Sequence, residues 1–222
     1  MLFDEKAVRE NLRNREGKRV FYLRKSDTLT PSARDFLSRE RIPILPGEEA
    51  KPDRWRLLGG GFTEEKGEGR TCLMGDLLVP KTHPRIRFRG AMDTLEAELL
   101  LAGPETRELL ELARRLLRCE VLEEKVGEFT LCGLSQEEQR RRSHFPQDFY
   151  GIPHFMPDYS DGERLLVLNR CRTAARAAEL AAVEAFTDRD GNLTREDIVK
   201  ALNRMSSMIY ILMIQAKAGP SQ

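Results

Sequence analysis

Two long runs near the end of the chain set what it can fold into. Between Leu165 and Ile214 the sequence reads LLVLNRCRTAARAAELAAVEAF, then a polar break, then DIVKALNRMSSMIYILMI. Apolar residues recur in both at helical spacing, so each run is expected to be a long helix that buries a face against other helices. Polar groups interrupt those faces. Arg172, Arg176 and Glu179 stand at i, i+4 and i+7 and share one stripe. Asn203, Arg204, Ser206 and Ser207 sit inside the second run. Polar groups on a buried face need partners. For the arginine stripe there are two readings, a solvated face carrying a helical ion pair and a site for a bound polyanion. For Asn203 and Ser207 the choice is between an interhelical hydrogen bond and a ligand contact.

The helical pattern begins earlier. Phe88, Met92, Leu95 and Leu99 repeat at helical spacing from Pro84 onward, and Gly103-Pro104 breaks the pattern. ETRELLELARRLLRCEVLEE follows with Leu109, Leu112, Leu116 and Leu117 on its apolar face, and SQEEQRRRS reads as a short polar helix. Residues 144–160, HFPQDFYGIPHFMPDYS, hold three prolines and five aromatics, which argues against a regular helix. Thr194 with Asp197 suggests a cap for the last helix. Four or five helices with short connections predict a mainly α domain, a helical bundle over 83–217 whose interior or subunit seams could host a cofactor.

The first 50 residues predict a small α/β extension. Val20–Leu23 is a strand candidate, Thr30-Pro31 starts a helix as N-cap and first helical residue, and Ile42–Leu45 is a second strand candidate. Residues 51–82 contain Gly59-Gly60-Gly61 and TEEKGEGR without apolar period, and are expected to be a Gly-rich linker or mobile loop.

Charge nearly cancels, with 37 basic and 36 acidic side chains. That argues against nucleic acid or an anionic membrane surface as partner. No run reaches the length of a membrane span, and the N-terminal residues lack the apolar core of a signal peptide. Cys72, Cys119, Cys132 and Cys171 are scattered, as expected of reduced thiols in a cytoplasmic protein. TDRDGNLTRED is not a calcium loop: with Gly191 at the turn position Phe186 stands where the first ligand is required, and with Asp188 first Leu193 takes the glycine position. His144 and His154 have no metal-ligand or catalytic-triad spacing around them, and a structural or gating role is expected.

Two further sets could bear on chemistry. Asp93, in RGAMDTLEAELLL, is either an exposed acid or the partner of an arginine. Lys81, Thr82, Arg85, Arg87 and Arg89 cluster before and within a helix start, where an anion is favoured, or simply solubilise that surface.

Taken together, Arg172-Thr-Ala-Ala-Arg176-Ala-Ala-Glu179 and Leu202-Asn203-Arg204-Met205-Ser206-Ser207 resemble the ATP:corrinoid adenosyltransferases of the PduO-like superfamily. SDTLTPSARDFL, PRIRFRGAMDTLEAELLLA, GLSQEEQRRRSH and ALNRMSSMIYILMI resemble its ethanolamine-utilisation branch, EutT, in that order. The resemblance implies a five-helix up-down bundle of ferritin-like type, assembled as a homotrimer with active sites between subunits. It implies transfer of the 5′-deoxyadenosyl group of ATP to cobalt(I) of cobalamin, with triphosphate released and Mg2+ on the phosphates. By motif, Arg172 corresponds to an arginine that pairs with an Asp of a neighbouring subunit, and Asp93 to that Asp. Arg176 corresponds to a triphosphate-binding arginine, and Glu179, Asn203 and Arg204 lie around the nucleotide. Phe155, with His154 beside it, resembles the aromatic wall that keeps the lower axial ligand off cobalt. Lys81 and Thr82 stand in for the superfamily's N-terminal phosphate loop. Ser207 replaces a frequent Asp, and Cys72 stands alone where some members of the branch have a metal-binding cysteine cluster, so no protein-bound metal is expected. An adenosylcobalamin-dependent client enzyme and association with a bacterial microcompartment follow from the same resemblance. The alternative is a corrinoid or nucleotide carrier without turnover.

Overall fold

The computed structural model describes residues 2–15, 17–24, 26–47 and 54–218. They divide into two units, one of residues 1–83 with 118–124, the other of 84–117 with 125–222.

The first unit mixes short strands with two helices: β1 (Leu2–Phe3), α1 (Glu5–Glu10), β2 (Arg13–Arg15), β3 (Lys18–Leu23), β4 (Thr28–Leu29), α2 (Pro31–Arg39) and β5 (Ile44–Pro46). The predicted strand at Val20–Leu23 lies within β3, and the predicted helix start holds. Thr30 has extended backbone, its hydroxyl accepts the Ala33 N–H at 3.3 Å, and Pro31 takes the first helical position. β3 pairs antiparallel with β2 and parallel with β5, placing Phe21 beside Ile44. Val8, Leu12, Phe21, Leu29, Ala33, Phe36, Leu37, Ile42 and Leu122 close a small core beneath these strands.

Residues 55–80 correct an expectation. Where composition suggested a linker or mobile loop over 51–82, the chain forms β6 (Trp55–Leu57), β7 (Phe62–Thr63), β8 (Arg70–Met74) and β9 (Leu77–Pro80). They make one sheet in the order β7-β6-β9-β8; residues 51–53 lie outside the described residues. Strands of two to five residues are too short to show a period, and the glycines that suggested flexibility instead shape the turns. Gly60 and Gly61, at φ 95° and 81°, turn β6 back toward β7, and Gly75 at φ 53° turns β8 into β9. Leu73, Leu78 and Val79 are buried, and Arg56 grips both carboxylate oxygens of Asp76 at 2.8–3.1 Å.

The second unit is dominated by long helices: α3 (Pro84–Ala102), α4 (Arg107–Leu122), the hairpin strands β10 (Thr130–Leu131) and β11 (Leu134–Ser135), α5 (Gln136–His144), α6 (Pro146–Tyr150), α7 (Gly162–Phe186) and α8 (Glu196–Ala218). The end of α4 is grouped with the first unit. Phe88, Met92, Leu95 and Leu99, named from spacing, are all fully buried, and so are Leu109 and Leu116. Each such side chain contributes roughly 2 kcal/mol by leaving water.

α3 and α7 run antiparallel, with Phe88 against Phe186 at one end (centroids 5.4 Å apart) and Arg170 bonded to Glu98 at the other. α7 also packs on α8, and α5 and α6 pack on α8. α5 starts with a capping box between Ser135 and Glu138. The proline-rich stretch does contain one short helix, α6. Pro146 suits its first position, and Gly151 at φ 67° ends it after five residues. The expected cap of α8 is not formed. The Thr194 hydroxyl donates to the Phe186 carbonyl at 2.8 Å, while the Asp197 carboxylate accepts the Val126 N–H at 3.0 Å and ion-pairs with Arg195. Between α7 and α8 the Asp188 carboxylate accepts the Asp190 and Asn192 N–H groups, so this segment is a helix-to-helix turn, as expected. Among the described residues no helix is long and apolar enough to cross a membrane.

Candidate functional site

Helical spacing puts Arg172, Arg176 and Glu179 on one face of α7, and Asn203, Ser207 and Tyr210 on one face of α8. The two helices run antiparallel, so the stripes face each other in reverse order. At one end the Asn203 amide donates to Glu179 Oε1 at 3.0 Å. At the other, Arg172 feels the Tyr210 oxygen.

The Glu179 carboxylate therefore receives an amide rather than an arginine. Arg204 completes that end: its Nη1 donates to Asn203 Oδ1 at 2.5 Å. Asn203 thus uses both halves of its side chain, accepting from a cation and donating to a carboxylate. The Arg204 Nε is buried without a hydrogen-bond partner among the described residues. Burial, then the nearby charge of Arg140, hold the Arg204 guanidinium below its usual range, and Glu179 opposes them.

Arg172 and Arg176 are not paired with a carboxylate among the described residues. Arg172 donates from Nε and Nη2 to Asn169 Oδ1, both at 3.3 Å, which is a neutral acceptor. Burial first, and then the like charge of Arg176, hold its guanidinium below the usual range. Arg176 is exposed and has no hydrogen bond or ion pair among the described residues. Of the two readings left open by spacing, the helical ion pair with Glu179 is thus not the arrangement formed. Two guanidinium groups one turn apart, with a carboxylate turned away from them, suit an acceptor-rich anion such as a phosphate chain.

Next to Arg172 the stripe becomes aromatic. Tyr210 packs against His154 (centroids 5.7 Å, planes 10° apart) and against Phe155 (5.8 Å). His154 Nδ1 lies 3.1 Å from the Tyr210 hydroxyl, and Nε2 lies 3.1 Å from the His144 carbonyl. Lys217 Nζ sits 4.6 Å from the Phe155 ring centroid and pairs with Asp161 at 2.5 Å. The segment 144–161 is thereby fastened along α8.

The remaining candidates have no hydrogen bond or ion pair to this row among the described residues. Asp93 is exposed on α3, with no hydrogen bond or ion pair among the described residues. Lys81 and Thr82 are exposed in the turn after β9, in the first unit. Cys171 is buried; its thiol donates to the Glu98 carbonyl, and burial pushes its pKa up to about 11, so it stays protonated. Sequence reasoning missed Asn169, Arg140 and Tyr210. Tyr210 was within reach, because it continues the Asn203–Ser207 spacing by one more turn.

The comparison with known proteins agrees with this chemistry. The cobalamin adenosyltransferase family model matches residues 62–216. The corrinoid adenosyltransferase EutT of Salmonella typhimurium is 30% identical over 245 residues, covering 96% of this chain and 91% of that protein. EutT of Escherichia coli K12 is 30% identical over 241 residues, covering 95% of this chain and 90% of that protein. A family match over most of the chain, with relatives matched nearly end to end, shows that this chain belongs to the cobalamin adenosyltransferase family.

Proposed function

We propose that the α7–α8 row is where this enzyme joins the 5′-carbon of ATP to cobalt(I) of cobalamin, in the service of ethanolamine utilisation. The observation that carries the proposal is the pair Arg172 and Arg176, cations on one face without a carboxylate partner among the described residues. The ethanolamine context is supported by the relatives, both named EutT.

In the reaction cobalt(I) is the nucleophile. Its electron pair forms the cobalt–carbon bond, cobalt becomes formally cobalt(III), and the C5′–O bond breaks with its electrons passing to the triphosphate oxygen. No side-chain base is needed. The protein's task is to hold C5′ in line with cobalt and to stabilise charge gathering on the leaving group. Arg176 binds the triphosphate. Glu179 and Asn203 hold the nucleoside end, a carboxylate and an amide suited to ribose or base donors, and Arg204 keeps Asn203 oriented. The row presents cations, and its carboxylate is engaged by Asn203, so Mg2+ would be held through phosphate oxygens rather than by the row itself. Phe155 and His154 form the apolar wall on the corrinoid side, excluding water and the lower axial ligand.

The second unit is a five-helix bundle of ferritin-like type in this reading, assembled as a homotrimer. Asp93 of one protomer meets Arg172 of the next, supplying the countercharge that each lacks among the described residues of its own protomer. Delivery to an adenosylcobalamin-dependent client at a bacterial microcompartment in the cytoplasm completes the proposal.

The test is anaerobic. Protein, Mg-ATP and chemically reduced cobalamin are mixed, the visible spectrum is followed, and triphosphate is quantified. Adenosylcobalamin and triphosphate formed in equal amounts support the proposal. Spectral binding without product makes the protein a carrier, and no change at all sinks both readings.

A further inference from the structure

The segment linking α6 to α7 has little backbone support of its own. After the Gly151 N–H, bonded to the Gln147 carbonyl, the next backbone–backbone bond among the described residues is Asp161 to Asp158. Between them, His154 and Phe155 are held by side-chain contacts. Several apolar groups here and in the preceding α6 region face solvent: Met156 is 88% exposed and Tyr159 98%, with Phe145 and Phe149 also exposed. A stretch of this kind has no register unless something sets it.

Tyr210 is placed to set it. The His144 carbonyl can only accept, so His154 Nε2 carries the ring proton and donates to it. In the neutral ring Nδ1 is then an acceptor, and the Tyr210 hydroxyl donates to it at 3.1 Å. The Phe155 N–H in turn donates to the Tyr210 oxygen at 3.4 Å. One hydroxyl therefore fixes two consecutive residues of the loop, with a consistent direction of donation from Phe155 through Tyr210 and His154 to the end of α5. The same oxygen lies within electrostatic reach of Arg172. Tyr210 stands between the arginine row and the aromatic segment.

We propose that Tyr210 is a positioning residue, whose hydroxyl holds His154 and Phe155 at a set distance from the arginines and so aligns the corrinoid with the 5′-carbon of ATP. This rests on the reading of Phe155 and His154 as the corrinoid wall. Lys217, two turns further along α8, holds the other side of Phe155 and Asp161 but does not touch the row's arginines in this way.

The experiment compares Tyr210→Phe, Phe155→Ala and His154→Ala with the wild type in the anaerobic assay, varying ATP and cobalamin separately, with thermal unfolding measured on each. Tyr210→Phe keeps the ring and its stacking and removes only the hydroxyl. It is expected to lower kcat/KM for cobalamin about five- to tenfold, in line with the loss of two ordinary hydrogen bonds, while KM for ATP stays within about twofold. The double variant with His154→Ala should cost less than the sum of the two single variants, because they share the Tyr210–His154 contact, while the bond from the Phe155 N–H is lost only with the hydroxyl. Chymotryptic cleavage within 152–160 should speed up in Tyr210→Phe while the melting temperature holds. Wild-type kinetics in Tyr210→Phe, with Phe155→Ala impaired toward cobalamin, overturns the positioning role and leaves the wall intact. If Phe155→Ala also leaves KM for cobalamin unchanged, the wall reading falls and the inference with it. Equal losses toward ATP and cobalamin with a lowered melting temperature would make Tyr210 merely structural, and would overturn the inference as well.

Discussion

The helix α7 carries charge on two seams, and the seams differ. Toward α3 and the turn that follows it, its charges are matched: Arg170 meets Glu98 at 2.7 Å, Arg164 meets Glu105 at 2.5 Å, and Glu184 meets Arg87. Toward α8, Arg172 has only a neutral amide oxygen, and Arg176 has no hydrogen-bond or ion-pair partner among the described residues. The same helix could have spent Glu179 on either arginine, yet that carboxylate is taken by Asn203. Matched pairs at a surface contribute little and need no ligand. An unmatched pair of guanidinium groups, one of them partly withdrawn from water, is the arrangement in which an incoming anion gains most.

Substitutions can break this contrast in order of size. Arg176→Ala is expected to raise KM for ATP about 10- to 100-fold, the loss of one or two hydrogen bonds to a charged group, with little change for cobalamin. Equal effects on both substrates would end its triphosphate role. Next come Arg172→Ala and Asp93→Ala, each expected to cost a comparable factor in activity or to shift gel filtration toward the monomer. The double variant should cost much less than the sum, the mark of a direct pair between protomers, and strict additivity would contradict that pair. Asn203→Ala frees Glu179 to turn on Arg176 and should raise KM for ATP several-fold, about 1 kcal/mol. An unchanged KM would show that Asn203 does not keep the carboxylate away.

Away from the α7–α8 row, effects should appear in stability alone. Burial raises the Asp197 pKa, but Arg195 and the Val126 N–H more than offset this and hold it below the usual carboxylate range. A depressed folded pKa stabilises the fold above the unfolded value, near 4, and that stability is lost as pH falls through the folded value. Asp197→Asn should therefore be less stable at neutral pH by about 1 kcal/mol, and the gap should close in acid; a pH-independent gap would contradict the linkage. Smallest of all, Arg170→Ala should change stability by less than about 0.5 kcal/mol and leave KM for ATP alone.

The long helices were legible because their period extends over many turns. Phe88, Met92, Leu95 and Leu99 needed only spacing to be placed in a core, and all are fully buried. Thr30-Pro31 was legible because capping is local chemistry. The sheet of residues 55–80 was not, since two- to five-residue strands leave no period and its turn glycines look like those of a linker. The cap of α8 misled for another reason. Thr194 and Asp197 have the right spacing, but a tertiary partner, the Val126 N–H, competes for the carboxylate. Within the site, spacing identified Arg172, Arg176 and Glu179 as a stripe but could not say whether Glu179 would pair along its own helix or across to Asn203. That choice depends on the antiparallel register of α7 and α8, which the separate runs do not encode.

The most direct measurement is calorimetric titration of inorganic triphosphate into the wild type, Arg176→Ala and Arg170→Ala at matched ionic strength. Binding weakened about 10- to 100-fold by Arg176→Ala and unchanged by Arg170→Ala is the expected result, since only the first arginine is unmatched. Equal weakening by both variants, or by neither, would contradict the assignment of the α7–α8 row to the triphosphate.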